Sequence, residues 1–364
     1  MPYPKHIPYL SALPVSALRG KRVLVRVDLN VPLEDGVVVD DFRIRKVLPT
    51  IDYLLRECAH LTIAAHLGDD GSEDIDPVHR KLLELLSHEG EVKITMLPNL
   101  RANPGEISND PQFAEELAKK ADIYINEAFS VSHREHASIV GVPNYLPSYA
   151  GFLFEQEVKN LSRALAPVHP FAVIIGGVKF KTKIPLAEKF LLLADQVFVS
   201  GALCIDFFRA KGYEMGRSVA SVPPLDLSGF LANPKISLPR DLVTDEHKTK
   251  LVTELLPGEA MLDVGPGTID EMKEKLRGVK MILWNGPLGD YELGFVGGTD
   301  ALARIIAGSP AFSIVGGGDT VASLEKLQLL DRFGFVSTAG GAMLDFLAYE
   351  TLPGIEALIR KRKV

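Results

Sequence analysis

The stretch "AFSIVGGGDTVASLEKL", Ala311–Leu327, carries the reading of the fold. An apolar run of strand character enters three glycines, and an amphipathic helical pattern opens directly behind them. Strand, glycine turn and helix in that order place free backbone N–H groups where an anion can bind. Three more runs in the same half end the same way: "FAVIIGG" (Phe171–Gly177), "QVFVSG" (Gln196–Gly201) and "MILWNGP" (Met281–Pro287). Ligands of open parallel sheets sit at the carboxyl ends of the strands. The second half therefore reads as a parallel sheet built around a phosphate-bearing ligand. Asp319 fits beside phosphate only if a divalent cation lies between them.

The first half has the same rhythm with different endings. "RVLVRV" (Arg22–Val27), "LTIAA" (Leu61–Ala65), "VKITML" (Val92–Leu97) and "DIYIN" (Asp122–Asn126) read as buried strands. Amphipathic stretches such as "DFRIRKVLPTIDYLLREC" and "DPVHRKLLELLSHEG" lie between them. The alternation predicts α/β units and a mostly parallel sheet. These strands run into Asp28-x-Asn30, His66 and Asn126 instead of glycine. The segment "LSRALAPVHP" (Leu161–Pro170) ends in two prolines and predicts a domain boundary.

Composition narrows the class. At 364 residues the chain has room for two domains of about 150 residues or a little more. Hydrophobic residues at 46% and charged residues at 24% are ordinary for a globular protein. A formal net charge of −7 gives no global attraction for nucleic acid or an anionic membrane. No apolar run is long enough to span a bilayer. The start lacks the apolar core of a signal peptide. Two distant cysteines, Cys58 and Cys204, fit a reducing compartment, so a cytoplasmic location is expected.

Several chemistries lack their residues. The pair Gly20-Lys21 is followed by Arg22, so there is no Walker A loop. Gly316 and Gly318 begin a dinucleotide fingerprint, but Val321 stands at its third glycine. No G-x-S-x-G elbow occurs, and His133 and His136 have no third metal ligand at suitable spacing. What remains points to phosphate. Lys179, Lys181 and Lys183 alternate behind a glycine pair and would share one side of an extended segment. Arg101 and Arg134 lie in loops beyond strands. Arg43 opens a helix, where a cation opposes the helix dipole and so hints at another use.

Together these stretches resemble phosphoglycerate kinases. The matching segments are "RVDLNVP", "AAHLG", "LPNLRANPGE", "INEAFSVSHREHAS", "AGFLFEQEV", "IIGGVKFKTKI", "WNGPLGDYE", "IVGGGDT" and "STAGGAMLDFL", in the family's order and over nearly the whole chain. The resemblance implies two doubly wound, Rossmann-like α/β domains facing across a hinged cleft. Residues 1–165 would bind 3-phosphoglycerate or 1,3-bisphosphoglycerate, and residues 166–350 would bind ADP or ATP with Mg²⁺. Residues 351–364 would return to the N-terminal domain. A monomer is implied.

By the same resemblance the substrate residues are Asp28, Asn30, Arg43, His66, Arg101 and Arg134. The nucleotide residues are Gly177, Lys183, Gly201, Asn285, Glu292, Gly316, Gly317, Gly318, Asp319 and Thr320. Asp319 would serve Mg²⁺ mainly through the nucleotide phosphates. Arg43, Lys179, Gly318 and Gly341 would stabilise the transferring group, with further backbone donors near Gly317 and Gly340. The chain also departs from the family. Asp69 stands where H-L-G-R-P has arginine, removing a cation near the substrate phosphate, and Arg45 is a candidate replacement. Thr182 stands where aspartate is common, and "GPGT" around Gly267 replaces Gly-Pro-Lys-Thr. Asp69 is the main support for a second reading, a weakened nucleotide-binding relative.

Overall fold

A computed structural model describes residues 6–86, 94–177 and 183–360. The chain divides into two compact units. One runs up to Lys159 and takes in the chain again from Tyr349, while the other is Asn160–Ala348. The division falls inside the helix Phe152–Leu165, ahead of the prolines at 167 and 170.

The first unit holds a five-stranded parallel sheet. In spatial order its strands are Ile94–Met96, His60–Ala64, Arg22–Arg26, Ile123–Asn126 and Ser148–Ala150. Val23, Leu24, Val25, Leu61, Ile63 and Ile125 are all buried. A strand covered on both faces reads as a continuous apolar run, which is why the sequence shows no alternation. The helix Phe42–Glu57 buries Ile44, Val47, Ile51 and Leu54, the spacing of one helical face. The strand order reverses beside Arg22–Arg26, whose neighbours are His60–Ala64 and Ile123–Asn126. Loops leaving the carboxyl ends of adjacent strands at that point diverge and leave room for a ligand.

The second unit carries a six-stranded parallel sheet ordered Ile236–Ser237, Gln196–Val199, Phe171–Ile175, Met281–Asn285, Phe312–Gly316 and Phe335–Val336. Phe171–Ile175 and Met281–Asn285 are buried along their whole length and pair in register. Here too the order reverses between neighbouring strands, at this central pair. A three-stranded antiparallel sheet of Thr249–Leu251, Asp241–Thr244 and Met261–Val264 adds to the unit. The mostly parallel reading of the sequence does not anticipate it. Among the described residues no helix is long and apolar enough to cross a membrane.

Candidate functional site

In the first unit the polar residues gather at the carboxyl ends of the strands. Asp28, just beyond the central strand, is buried and accepts from Arg43 Nη1 at 2.7 Å. Its carboxylate also accepts from the Ser130 hydroxyl and from the Asn30 backbone N–H. Burial pushes the Asp28 carboxyl up, but the Arg43 charge and these hydrogen bonds outweigh it and hold it below its ordinary value. The pairing explains a cation in the first turn of Phe42–Glu57: Arg43 serves Asp28 and not its own helix. Asn30 Oδ1 accepts from Gly68 N at 2.9 Å, tying the first loop to the one that follows His66.

His66 is buried, and its Nδ1 lies 3.1 Å from Arg26 Nη2. A guanidinium only donates, so Nδ1 accepts and the ring proton sits on Nε2. Burial, reinforced by the charge of Arg26, pushes His66 far below its ordinary value and keeps it neutral. Arg101 is buried and donates to the Gly68 carbonyl and to Asp69 Oδ1. Asn99 braces this loop, accepting from Arg101 N and donating to the Leu67 carbonyl. Arg134 is exposed, and its charge acts on His66 from a distance. Arg45 is bound to Asp41 on its own helix by two hydrogen bonds of 2.7 and 2.8 Å.

The second unit contains a cavity of about 430 Å³ at the carboxyl ends of its strands. Gly177, Lys183, Gly201, Asn285, Glu292, Gly317, Gly318 and Asp319 line it, with Gly340. Of the other sequence-derived candidates, Gly316 is buried beneath it, where a Cβ would strike Met343 Sδ. Thr320 is fully buried, with no hydrogen-bond partner for its hydroxyl among the described residues, and Gly341 begins the helix Gly341–Tyr349. Lys179, Lys181 and Thr182 lie outside the described residues. Gly267 belongs to the helix Pro266–Lys275, where its N–H is taken by Asp241 at 2.8 Å.

Among the described residues, Lys183 is the cation that lines this cavity. It sits at the N-cap of the helix Ile184–Leu193, yet its ammonium donates to the Gly176 carbonyl. Burial lowers it to about 8, against the opposing pull of Asp319. The glycines make the room. A Cβ at Gly286 would lie 3.0 Å from Lys183 Nζ, and a Cβ at Gly177 would lie 3.2 Å from it. Gly317 has φ +108° at the N-cap of the helix Gly318–Lys326, a conformation closed to most side chains. At the start of that helix and of the one opening at Gly341, the first N–H groups have no partner within their own helix.

Sequence reasoning missed part of both clusters. Arg26, Ser130 and Asn99 are described above. In the cavity, Ala202, Ile205, Met261, Leu262, Leu288 and Leu344 supply an apolar lining suited to a flat base. Arg26 left one signal, a charge inside an apolar strand run. The apolar lining left none, because cavity and core residues look alike before folding.

The match to the phosphoglycerate kinase family model extends over residues 14–350. Phosphoglycerate kinase of Moorella thermoacetica is 40% identical, with 94% of this chain and 98% of the relative covered. That of Rubrobacter xylanophilus is 41% identical over 95% of this chain and 97% of the relative. Two solved structures agree in fold. Phosphoglycerate kinase from Coxiella burnetii gives a TM-score of 0.83 at 35% identity, covering 97% of this chain and 99% of the other. The Pyrococcus horikoshii enzyme gives 0.84 at 31% identity, covering 97% and 98%. The chain belongs to the phosphoglycerate kinase family, whose reaction is reversible phosphoryl transfer between 1,3-bisphosphoglycerate and ADP.

Proposed function

We propose that the two clusters divide the substrates of this reaction between them. The cluster of Asp28, Asn30, Arg43, His66, Arg101 and Arg134 takes the phosphorylated sugar acid. The cavity around Lys183 takes the nucleotide. The observation that carries this reading is the Lys183 ammonium, buried in a glycine-walled cavity beside an exposed carboxylate. Among the described residues no carboxylate contacts that ammonium, and a buried cation so placed calls for an anionic ligand.

The chemistry needs no general base. In the ATP-forming direction the bond between the acyl oxygen and phosphorus breaks, and a β-phosphate oxygen of ADP forms the new bond. The carboxylate leaves with the electron pair. Both oxygens are ionised at neutral pH, so the protein's task is positioning and charge stabilisation. Arg43 is the cation for the sugar-acid side. Asp28 holds its guanidinium in place and leaves the remaining N–H groups for the transferring group. Lys179 and backbone N–H groups at Gly318 and Gly341 are the further donors in this reading. Lys183 neutralises nucleotide phosphate, and Glu292 accepts from the ribose hydroxyls. Arg101 and Arg134 hold the distal phosphate.

Mg²⁺ fits the donor set as a companion of the nucleotide. Among the described residues no group of three or more His, Cys, Asp or Glu could hold a metal ion. Of the three acidic residues that line the cavity, Asp290, Glu292 and Asp319, it is Asp319 that stands in the first turn of the helix Gly318–Lys326. That suits a cation held mainly by phosphate oxygens. When bound, the ion screens the phosphate charges from one another. The working state proposed is a monomer in the cytoplasm.

A coupled assay with 3-phosphoglycerate, Mg-ATP and a dehydrogenase reporter tests the reading. Turnover that saturates in both substrates is expected. Folded protein without turnover would overturn it in favour of a weakened relative, the role that Asp69 suggests.

A further inference from the structure

We propose that Glu106 is a positioning residue that holds His66 in a single tautomer through Ser138 and Arg26. The proposal rests on the reading of His66 as a substrate-site residue, and it adds a group some distance behind that site.

The path is continuous and buried. Glu106 Oε1 accepts from the Ser138 hydroxyl at 2.6 Å, and Glu106 Oε2 accepts from Ser138 N at 2.9 Å. Ser138 Oγ in turn accepts from Arg26 Nε at 2.9 Å. Arg26 Nη2 then reaches His66 Nδ1 at 3.1 Å. Glu106, Ser138, Arg26 and His66 are all shielded from solvent.

Charge shows why the path matters. A buried guanidinium is costly without a counter-charge. Among the described residues the hydrogen-bond partners of Arg26 are neutral: Ser138 Oγ, the Val27 carbonyl and His66. Its charge is balanced at one remove, by Glu106 across the Ser138 hydroxyl and by Asp28 through space. Glu106 has one other basic neighbour, His136, whose Nδ1 lies 3.8 Å away. Burial lowers His136 to about 4, so it is neutral near pH 7 and leaves Glu106 to Arg26.

Geometry completes the argument. The Ser138 hydroxyl has one proton, and it is committed to Glu106. Its lone pair is therefore free for Arg26 Nε. With Nε fixed, the planar guanidinium has one orientation, and Nη2 meets His66 Nδ1. The result is a neutral imidazole with its proton on Nε2, a hydrogen-bond donor for an anionic substrate. Asp28, Arg101 and Arg134 also act on His66, but electrostatically. Among the described residues the hydrogen bond to the ring comes from Arg26, at Nδ1.

The test is nitrogen-15 NMR of the His66 ring in the free protein, for wild type, Ser138→Ala and Glu106→Gln. Wild type should give one acceptor Nδ1 and one protonated Nε2. Ser138→Ala, the milder change, should give averaged shifts from two tautomers, and so should Glu106→Gln. The KM for 3-phosphoglycerate should rise about tenfold, the loss of one hydrogen bond to a charged group, with kcat within about twofold. A purely structural role would lower the melting temperature and leave the tautomer unchanged. An unaltered Nε2–H tautomer in folded Ser138→Ala overturns the proposal. A mixed tautomer with an unchanged KM supports the network and instead overturns the place of His66 in substrate binding.

Discussion

Arg101 Nη1 donates to Asp69 Oδ1 at 2.9 Å, joining a guanidinium that is 3% exposed to a carboxylate that is 97% exposed. The cation assigned to the substrate phosphate already carries an internal anion, and substrate must displace it. An exposed carboxylate binds weakly, so the displacement costs less than about 1 kcal/mol. Asp69→Asn is expected to lower the KM for 3-phosphoglycerate about threefold with kcat unchanged, and the gain should shrink at high salt. Steady-state kinetics at two ionic strengths measure it. An unchanged KM would mean that Arg101 does not hold the phosphate.

Lys183 gives the proposed nucleotide site a pH dependence. Its ammonium is lowered by burial to about 8, so it is charged at pH 7. Phosphate binds the charged form. Affinity for Mg-ADP should therefore fall as pH rises through 8, by about tenfold between pH 7 and 9. Calorimetric titration at both values tests this. Lys183→Met should bind weakly at both, and a flat wild-type profile would contradict the assignment.

Glu127 gives the fold a pH dependence of its own. Burial raises its carboxyl to about 7, against hydrogen bonds from Thr50, Leu153 N and Phe154 N. The folded-state value lies above the ordinary value of 4.5. The group's stabilising share is thus fully present below pH 4.5 and lost as pH rises through 7, a change on the order of 3 kcal/mol. Glu127→Gln removes the titration. Its melting temperature relative to wild type should rise between pH 5 and pH 8. A constant offset across that range would rule the effect out.

The sequence disclosed the two parallel sheets because Phe171–Ile175 and the Val23, Leu24 and Val25 core of Arg22–Arg26 are buried on both faces, which leaves apolar runs bounded by glycine or polar residues. The glycine ends pointed to residues that line the cavity proposed for the nucleotide. The antiparallel sheet was not legible, since Thr249–Leu251 is short, partly exposed and carries a lysine. Contacts far apart in the chain were also hidden. Nothing local to Arg26 names Ser138, 112 residues away, as its partner. Asp69 was visible as an acid in place of a family cation, but only folding sets it on Arg101. Arg43 was legible through a local conflict, a cation at a helix start, and its resolution lies in Asp28.

Arg43→Ala puts the central claim to its most direct test: that charge held in place, without a general base, carries the transfer. In the coupled assay the variant should lose about a hundredfold in kcat, close to 3 kcal/mol of transition-state stabilisation, while its KM for Mg-ATP stays at the wild-type value. A kcat within twofold of wild type in folded Arg43→Ala would contradict the account.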